Sequence, residues 1–386
     1  MTDRLYYHDS YLTEFRARVV DASPDRLRVY LDRTAFYPTS GGQPFDAGKL
    51  GSVQVTEVVD EDVRIAHVLS APLEGSDVSG TIDWQRRFDH MQQHTGQHLL
   101  SAVLIELFDA ATVSFHLGAE SSSIDISKTL ESSQLRSAER RANEIVFENR
   151  PVQVSFQDST ANLDLRKPTE REGVIRIISI QDLDRSACGG THVRATGEIG
   201  PILIRKLDRI RGNQRIEFVC GTRAVQRARA DYEALSAIAR TFSAQLDETP
   251  ALVTAQVERL QESDKVRRRL SSELAQARGR ELYTATAPGP EGIRKVLRRV
   301  ESISDDLRAE AQSFTAGEKS MFLVLASDPP SILLAASKDS GVNAGEILKA
   351  AVTKAGGRGG GSATMAQGSV PSKEVLEQFA GTLAIS

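Results

Sequence analysis

Two short pairs of residues constrain this chain more than anything else in it. They are His94 and His98 in the run His-Thr-Gly-Gln-His, and Cys188 and His192 in Cys-Gly-Gly-Thr-His. Each pair has i, i+4 spacing. The first lies in Met91-Gln-Gln-His-Thr-Gly-Gln-His-Leu-Leu-Ser-Ala-Val103, where apolar residues recur with helical periodicity. Both imidazoles therefore share one helix face and can reach one metal ion. The second lies in a turn-like stretch whose glycines let the backbone fold around an ion. Together they supply two or three imidazole nitrogens and one thiolate, a ligand set suited to tetrahedral zinc, one ion per chain. Histidines four apart are also common on packed or exposed helices, and a lone Cys-x3-His says less still. Composition separates the two readings: of only two cysteines and seven histidines, four fall in these matched pairs. One shared ion requires the two stretches, about 90 residues apart, to meet.

A chain of 386 residues is long enough for two or three domains, each with its own core. Its hydrophobic fraction of 40% and charged fraction of 26% are those of a soluble globular protein. No apolar run approaches a membrane span, and the polar start Met-Thr-Asp-Arg is no signal peptide. Two cysteines build no disulfide framework, which fits a reducing cytoplasm. The expected location is cytoplasmic. Net charge is −4, against a nucleic-acid binder on the sum alone, but the distribution is uneven. Between Arg205 and Arg229 lie eight basic residues and two acidic ones, a local net of +6.

The expected fold class is α+β, in four parts. Residues 1–85 read as short strands, with Arg26-Leu-Arg-Val-Tyr-Leu31 alternating at period two, and suggest a small antiparallel barrel-like sheet. Residues 86–222 mix a helix at about 89–108, carrying the first ligand pair, with a charged helix at about 132–148 and several strands. Residues 223–288 read as helical and coiled-coil-like. Thr249-Pro250 is the start signal there, with threonine as N-cap and proline at the first helical position. An apolar stripe through Val253, Val257 and Leu260 changes phase near Asp264, so this connector either positions the last domain or forms a homodimer. Residues 289–386 read as an α/β unit with buried-type strands at Met321–Ala326 and Ile332–Ala336, and Asn343 as a helix cap. Its run Gly356-Gly-Arg-Gly-Gly-Gly361 offers backbone that a phosphate can approach closely, or else a flexible loop.

The ordered motifs resemble a known family. His-Thr-Gly-Gln-His-Leu-Leu-Ser-Ala, then Ala-Cys-Gly-Gly-Thr-His-Val, is similar to the editing domain of alanyl-tRNA synthetases and of free-standing alanyl-tRNA editing proteins. The resemblance extends to Thr34-Ala-Phe-Tyr-Pro-Thr-Ser-Gly-Gly-Gln-Pro-Phe-Asp-Ala-Gly48, Val113-Ser-Phe-His-Leu-Gly118, Thr196-Gly-Glu-Ile-Gly200 and Arg215-Ile-Glu-Phe-Val-Cys-Gly221. The C-terminal part resembles the last domain of the synthetases, the DHHA1 domain also found in DHH-type phosphoesterases, although no proline follows its glycines. A phosphoesterase is disfavoured because no DHH-like aspartate cluster lies upstream.

The resemblance implies a zinc-dependent deacylase acting in trans on Ser-tRNA(Ala), or Gly-tRNA(Ala), with tRNA(Ala) as partner. The runner-up is a tRNA-binding module with a structural zinc. Zinc can acidify a water, polarise the ester carbonyl or anchor the substrate. Gln43 is the expected catalytic group, matching a position of the family's editing pocket. Thr39, Ser40, Gly41, Gly42, His116 and Asp125 are the expected substrate contacts. Arg205, Lys206, Arg209, Arg211 and Arg215 are the expected tRNA contacts, together with Gly357, Arg358, Gly359, Gly360 and Gly361. Gln97 stands where many of the synthetases carry a threonine. His90 is a further ligand or simply packed, and Cys220 packs in a strand. The synthetases' ATP-binding domain would precede the barrel, and about ten residues leave it no room, so aminoacylation is expected to be absent.

Overall fold

A computed structural model describes residues 1–160, 163–170, 172–210 and 212–383. The chain divides into two compact units, Met1–Ile238 and Ala239–Ser386.

In the first unit, six strands close into a barrel in the order Glu14–Ala22, Arg28–Leu31, Arg64–Leu69, Val53–Glu61, Gly48–Leu50, Asp77–Ile82. Alternation explains the closure. In Asp77–Ile82 every second residue is buried, and Phe15, Val29, Leu50, Ile65 and Ile82 fill the interior. Helix α1 (Trp84–Phe108) follows directly, with the Asp83 carboxylate accepting from Arg86 N as its N-cap. From His90 to Leu104 it is buried on every side, polar residues included. A helix so enclosed must find partners for its polar groups inside the protein.

One such group fixes α1 to the barrel. The Arg87 guanidinium is wholly buried and donates from Nε to both Asp46 oxygens, from Nη1 to Ser10 O at 2.8 Å and from Nη2 to Ala35 O. Beside α1 run a four-stranded sheet (Ile202–Ile210, Asn213–Cys220, Ser122–Ile126, Thr112–Leu117) and helix α2 (Ser132–Glu148). A three-stranded sheet (Val152–Asp158, Val174–Ile180, Asp184–Ala187) completes the layer. Leu99, Leu100, Val103, Ile145, Ile178 and Phe218 form the shared core. Helix α3 (Gly221–Phe242) leaves the layer.

In the second unit, helix α4 (Thr249–Ala285) packs along α5 (Asp305–Phe314). The helical start expected at Thr249 is corrected by one residue. Glu248 is the N-cap, and Thr249 Oγ1 donates back to Gln245 O because the turn Gln245–Glu248 already bends the chain into the helix. A five-stranded sheet runs Arg294–Val300, Ser320–Ser327, Pro330–Ala336, Met365–Ser369, Arg358–Gly361. The first two strands are parallel and the rest antiparallel. The continuous apolar run of Ser320–Ser327 is explained by burial on both faces. Phe322 and Val324 face α5, while Met321, Leu323 and Leu325 face α6 (Ala344–Lys354) and α7 (Lys373–Leu383). Asn343 caps α6, accepting from Glu346 N. The glycine run is no loose loop: Arg358–Gly361 is an exposed edge strand, paired with Met365–Ser369.

Candidate metal centre

The four predicted ligands converge. Ligand atoms of His94, His98, Cys188 and His192 all lie within 4.8 Å of one another. Cys188 Sγ is 3.4 Å from His94 Nε2 and 3.3 Å from His192 Nε2. Bonds of about 2.1 Å to nitrogen and 2.3 Å to sulfur, set tetrahedrally, would separate such atoms by about 3.6 Å, so the donor set fits zinc. His94 and His98 project from one buried face of α1, and the turn carrying Cys188 and His192 leaves the strand Asp184–Ala187. Gly190 permits the approach: a Cβ there would stand 2.2 Å from His94 Cε1. Neither His90 nor Cys220 joins the cluster; Cys220 is buried on its strand, where burial pushes its thiol up.

Each imidazole is aimed by a different partner on its far nitrogen. Gln43 Oε1 accepts from His94 Nδ1 at 2.8 Å, and being a carbonyl oxygen it fixes the proton on that nitrogen. Asp184 Oδ2 accepts from His98 Nδ1 at 3.0 Å. Thr95 Oγ1 lies 3.1 Å from His192 Nδ1 and also accepts from Val193 N. All three rings thereby present Nε2 to the cluster. Asp184 is in turn held by Arg166 Nε at 2.6 Å and by Ser186 Oγ.

The charges follow from this packing. Burial pushes the Cys188 thiol up, but the His94 and His192 imidazoles beside it outweigh that and hold it well below its ordinary value. Burial, reinforced by the neighbouring imidazole of His94, lowers His192 to about 3 and keeps it neutral. Burial also works against a charge on His98, yet the Asp184 carboxylate and Cys188 sulfur raise it to about 9. Without a cation, the cluster keeps a proton on His98.

His94, His98 and Cys188 open onto a cavity of about 730 Å³ that also reaches Tyr7, Tyr37, Ser40, Gly41, Gln97 and Phe115. The structure distributes the expected substrate residues differently. Ser40 and Gly41 line this cavity, while Thr39 is exposed and accepts from Phe45 N. Gly42 sits under Phe115, where a Cβ would stand 2.7 Å from Cε2. Gln43 lies outside the cavity lining and reaches the cluster through His94. The side chain is fully buried, Oε1 accepts from His94 Nδ1 and Thr191 N, and Nε2 donates to Thr191 Oγ1 at 2.8 Å. His116 is exposed on its strand and does not line the cavity.

Asp125 is held within the four-stranded sheet. Its two oxygens accept from Arg215 Nε and Nη2 at 2.7 and 2.8 Å, and one accepts from Ser114 Oγ. That pairing also alters the basic stripe, whose charge is largely matched by acids, most of them outside the stripe. Arg205 and Arg227 pair with Asp231, Arg223 with Asp89 and Lys206 with Asp208. Arg209 is exposed, and Arg211 lies outside the described residues.

Sequence reasoning missed Asp184, Thr95, Thr191 and Arg176. Thr95 lies inside the histidine motif and Asp184 four residues before the cysteine, so proximity to ligands was the available signal. Arg176, on the strand Val174–Ile180, donates from Nη1 to Cys188 O at 2.7 Å and Gly190 O at 2.9 Å.

Comparison with known proteins gives the chain's relatives. Residues 175–217 match the Threonyl and Alanyl tRNA synthetase second additional domain, and residues 300–384 match the DHHA1 domain. The chain is 33% identical over 395 residues to the Alanyl-tRNA editing protein AlaX-L of Pyrococcus horikoshii, covering 97% of this chain and 96% of that protein. This chain belongs to the alanyl-tRNA editing protein family. Among longer relatives, the alanine–tRNA ligase of Pyrococcus abyssi is 32% identical across 98% of this chain, and that of Methanoregula boonei 34% across 97%. The chain spans 43% and 42% of those two ligases. In this editing-family member, no helix among the described residues is long and apolar enough to cross a membrane.

Proposed function

We propose that the protein is a zinc-dependent aminoacyl-tRNA deacylase that hydrolyses the ester between a wrong amino acid and tRNA(Ala), serine first and glycine second. It would act in trans. The observation that carries this is that three of the four ligand residues face a cavity large enough for an aminoacylated ribose, rather than being sealed in the core. His94, His98, Cys188 and His192 would hold the ion, which when bound supplies a Lewis acid to the ester. The protein's own groups do the rest: Gln43, Asp184 and Thr95 aim the imidazoles, Arg176 holds the cysteine turn, and Ser40 and Gly41 border the substrate's space.

A structural zinc in a tRNA-binding module is the second reading, favoured by one observation: four protein ligands are a complete tetrahedral set. On either reading, tRNA(Ala) is the partner. We assign tRNA contact to exposed Arg209 and to the edge strand at Gly357, Arg358, Gly359, Gly360 and Gly361. A second copy of the chain is proposed for the exposed stripe Val253, Val257 and Leu260 of α4.

The test is deacylation of tRNA(Ala) charged with serine or with alanine by the zinc-loaded chain. Hydrolysis of the seryl ester well above the spontaneous rate is expected, and a rate equal to the spontaneous one refutes the enzyme.

A further inference from the structure

One wall of the cavity is formed by the short 3-10 turn Leu5–Tyr7, at the start of the chain, which no motif singles out. Tyr7 there is partly exposed to the cavity, and every other part of it is held. Its ring meets the Tyr6 ring edge-on at 5.1 Å. Its carbonyl accepts from Arg176 Nε at 2.9 Å. That same guanidinium donates to Cys188 O and Gly190 O, so one buried arginine ties Tyr7 and the metal-ligand turn into one frame. Gly189, next along from Cys188, lies beside the hydroxyl: a Cβ there would stand 3.4 Å from Tyr7 Oη, in ordinary contact.

The hydroxyl is also oriented. Arg4 Nη1 donates to Tyr7 Oη at 3.3 Å, and Arg4 is itself gripped by both Asp60 oxygens at 2.8 and 2.7 Å. With a lone pair occupied, the phenol's proton is left to point elsewhere, and among the described residues it has no acceptor. Several other hydroxyls of the cavity are already committed: Tyr37 to Ser40 O, Thr112 to Ser101, Ser114 to Asp125 and Ser186 to Asp184. A rigidly mounted donor beside a metal ligand, with its proton free, is the arrangement that stabilises charge appearing during reaction.

We propose that Tyr7 is a catalytic residue, donating a hydrogen bond to the ester carbonyl oxygen of the substrate as negative charge builds on it. The proposal rests on the deacylase reading above. In hydrolysis a bond forms between water oxygen and the carbonyl carbon, and the bond from that carbon to the ribose oxygen breaks. One water proton goes to the ribose oxygen and the other leaves the carboxylic acid for solvent. The Tyr7 proton stays on its phenol throughout.

The decisive variant is Tyr7→Phe, which keeps the ring and removes only the hydroxyl. Its single-turnover rate on seryl-tRNA(Ala), at saturating enzyme, should fall roughly 100- to 1000-fold. Zinc content, melting temperature and the enzyme concentration giving half-maximal rate should stay near those of wild type. Arg4→Met, which leaves the hydroxyl but removes what orients it, should lower the same rate constant less. Equal rates for wild type and Tyr7→Phe overturn the proposal, as does a variant whose half-saturation or zinc content changes while its saturated rate does not. A wild type that hydrolyses nothing overturns the deacylase reading itself and this inference with it.

Discussion

Replacing Gln43 by alanine should weaken the metal site before it does anything else. The side chain is fully buried and makes three hydrogen bonds, none of them toward the cavity. Truncation leaves two buried donors, His94 Nδ1–H and Thr191 N–H, without an acceptor; the Thr191 hydroxyl can rotate. At about 1–3 kcal/mol for each orphaned donor, the cost is roughly 2–6 kcal/mol. Part of it falls on the ion, because a ligand histidine that loses its outer partner weakens metal affinity about 10- to 100-fold. Gln43→Glu is the internal control: a carboxylate still accepts from both donors and accepts a hydrogen bond from the rotated threonine hydroxyl, so zinc should stay. Competition against a chelator of known affinity, read by zinc analysis for the three proteins, measures the effect. Unchanged affinity in Gln43→Ala, together with a slowed deacylation step, would refute this argument and return the glutamine to the substrate.

Two further outcomes follow from the same packing. Gly190→Ala puts a methyl group 2.2 Å from His94 Cε1, so zinc affinity should drop at least about tenfold while the melting temperature of the metal-free protein moves little; a variant binding zinc like wild type would show that the turn yields instead. Zinc uptake at pH 7 should release about one proton, because His98, raised to about 9, is protonated in the metal-free cluster and must be neutral to ligate. Calorimetry in buffers of different ionisation enthalpy detects that proton, the release should fade as pH rises past about 9, and an absence of release at pH 7 would contradict the assigned charge state.

What could be read from the sequence was what depends on short spacing. Histidines four apart on an apolar-periodic stretch belong on one helix face, and the period-two alternation of Arg26–Leu31 anticipates a strand. The two long apolar runs after residue 320 gave themselves away as strands by composition. What could not be read depends on partners far along the chain. Gln43 and His94 are 51 residues apart, so nothing local distinguishes a glutamine serving a substrate from one serving a ligand. The positive stretch after Arg205 looked free because its acids, Asp89, Asp125 and Asp231, lie outside it or on other elements. Asp184 was invisible for the opposite reason: an acid near a ligand is ordinary until its burial is known.

The barrel contributes no ligand, yet Asp46 neutralises the arginine at the root of α1 and Gln43 steers the first histidine. A gene rearrangement that gave the later residues a new leading segment would leave a guanidinium stranded in apolar surroundings and a ring free to rotate. The first 50 residues and the four ligands are therefore bound to a common inheritance.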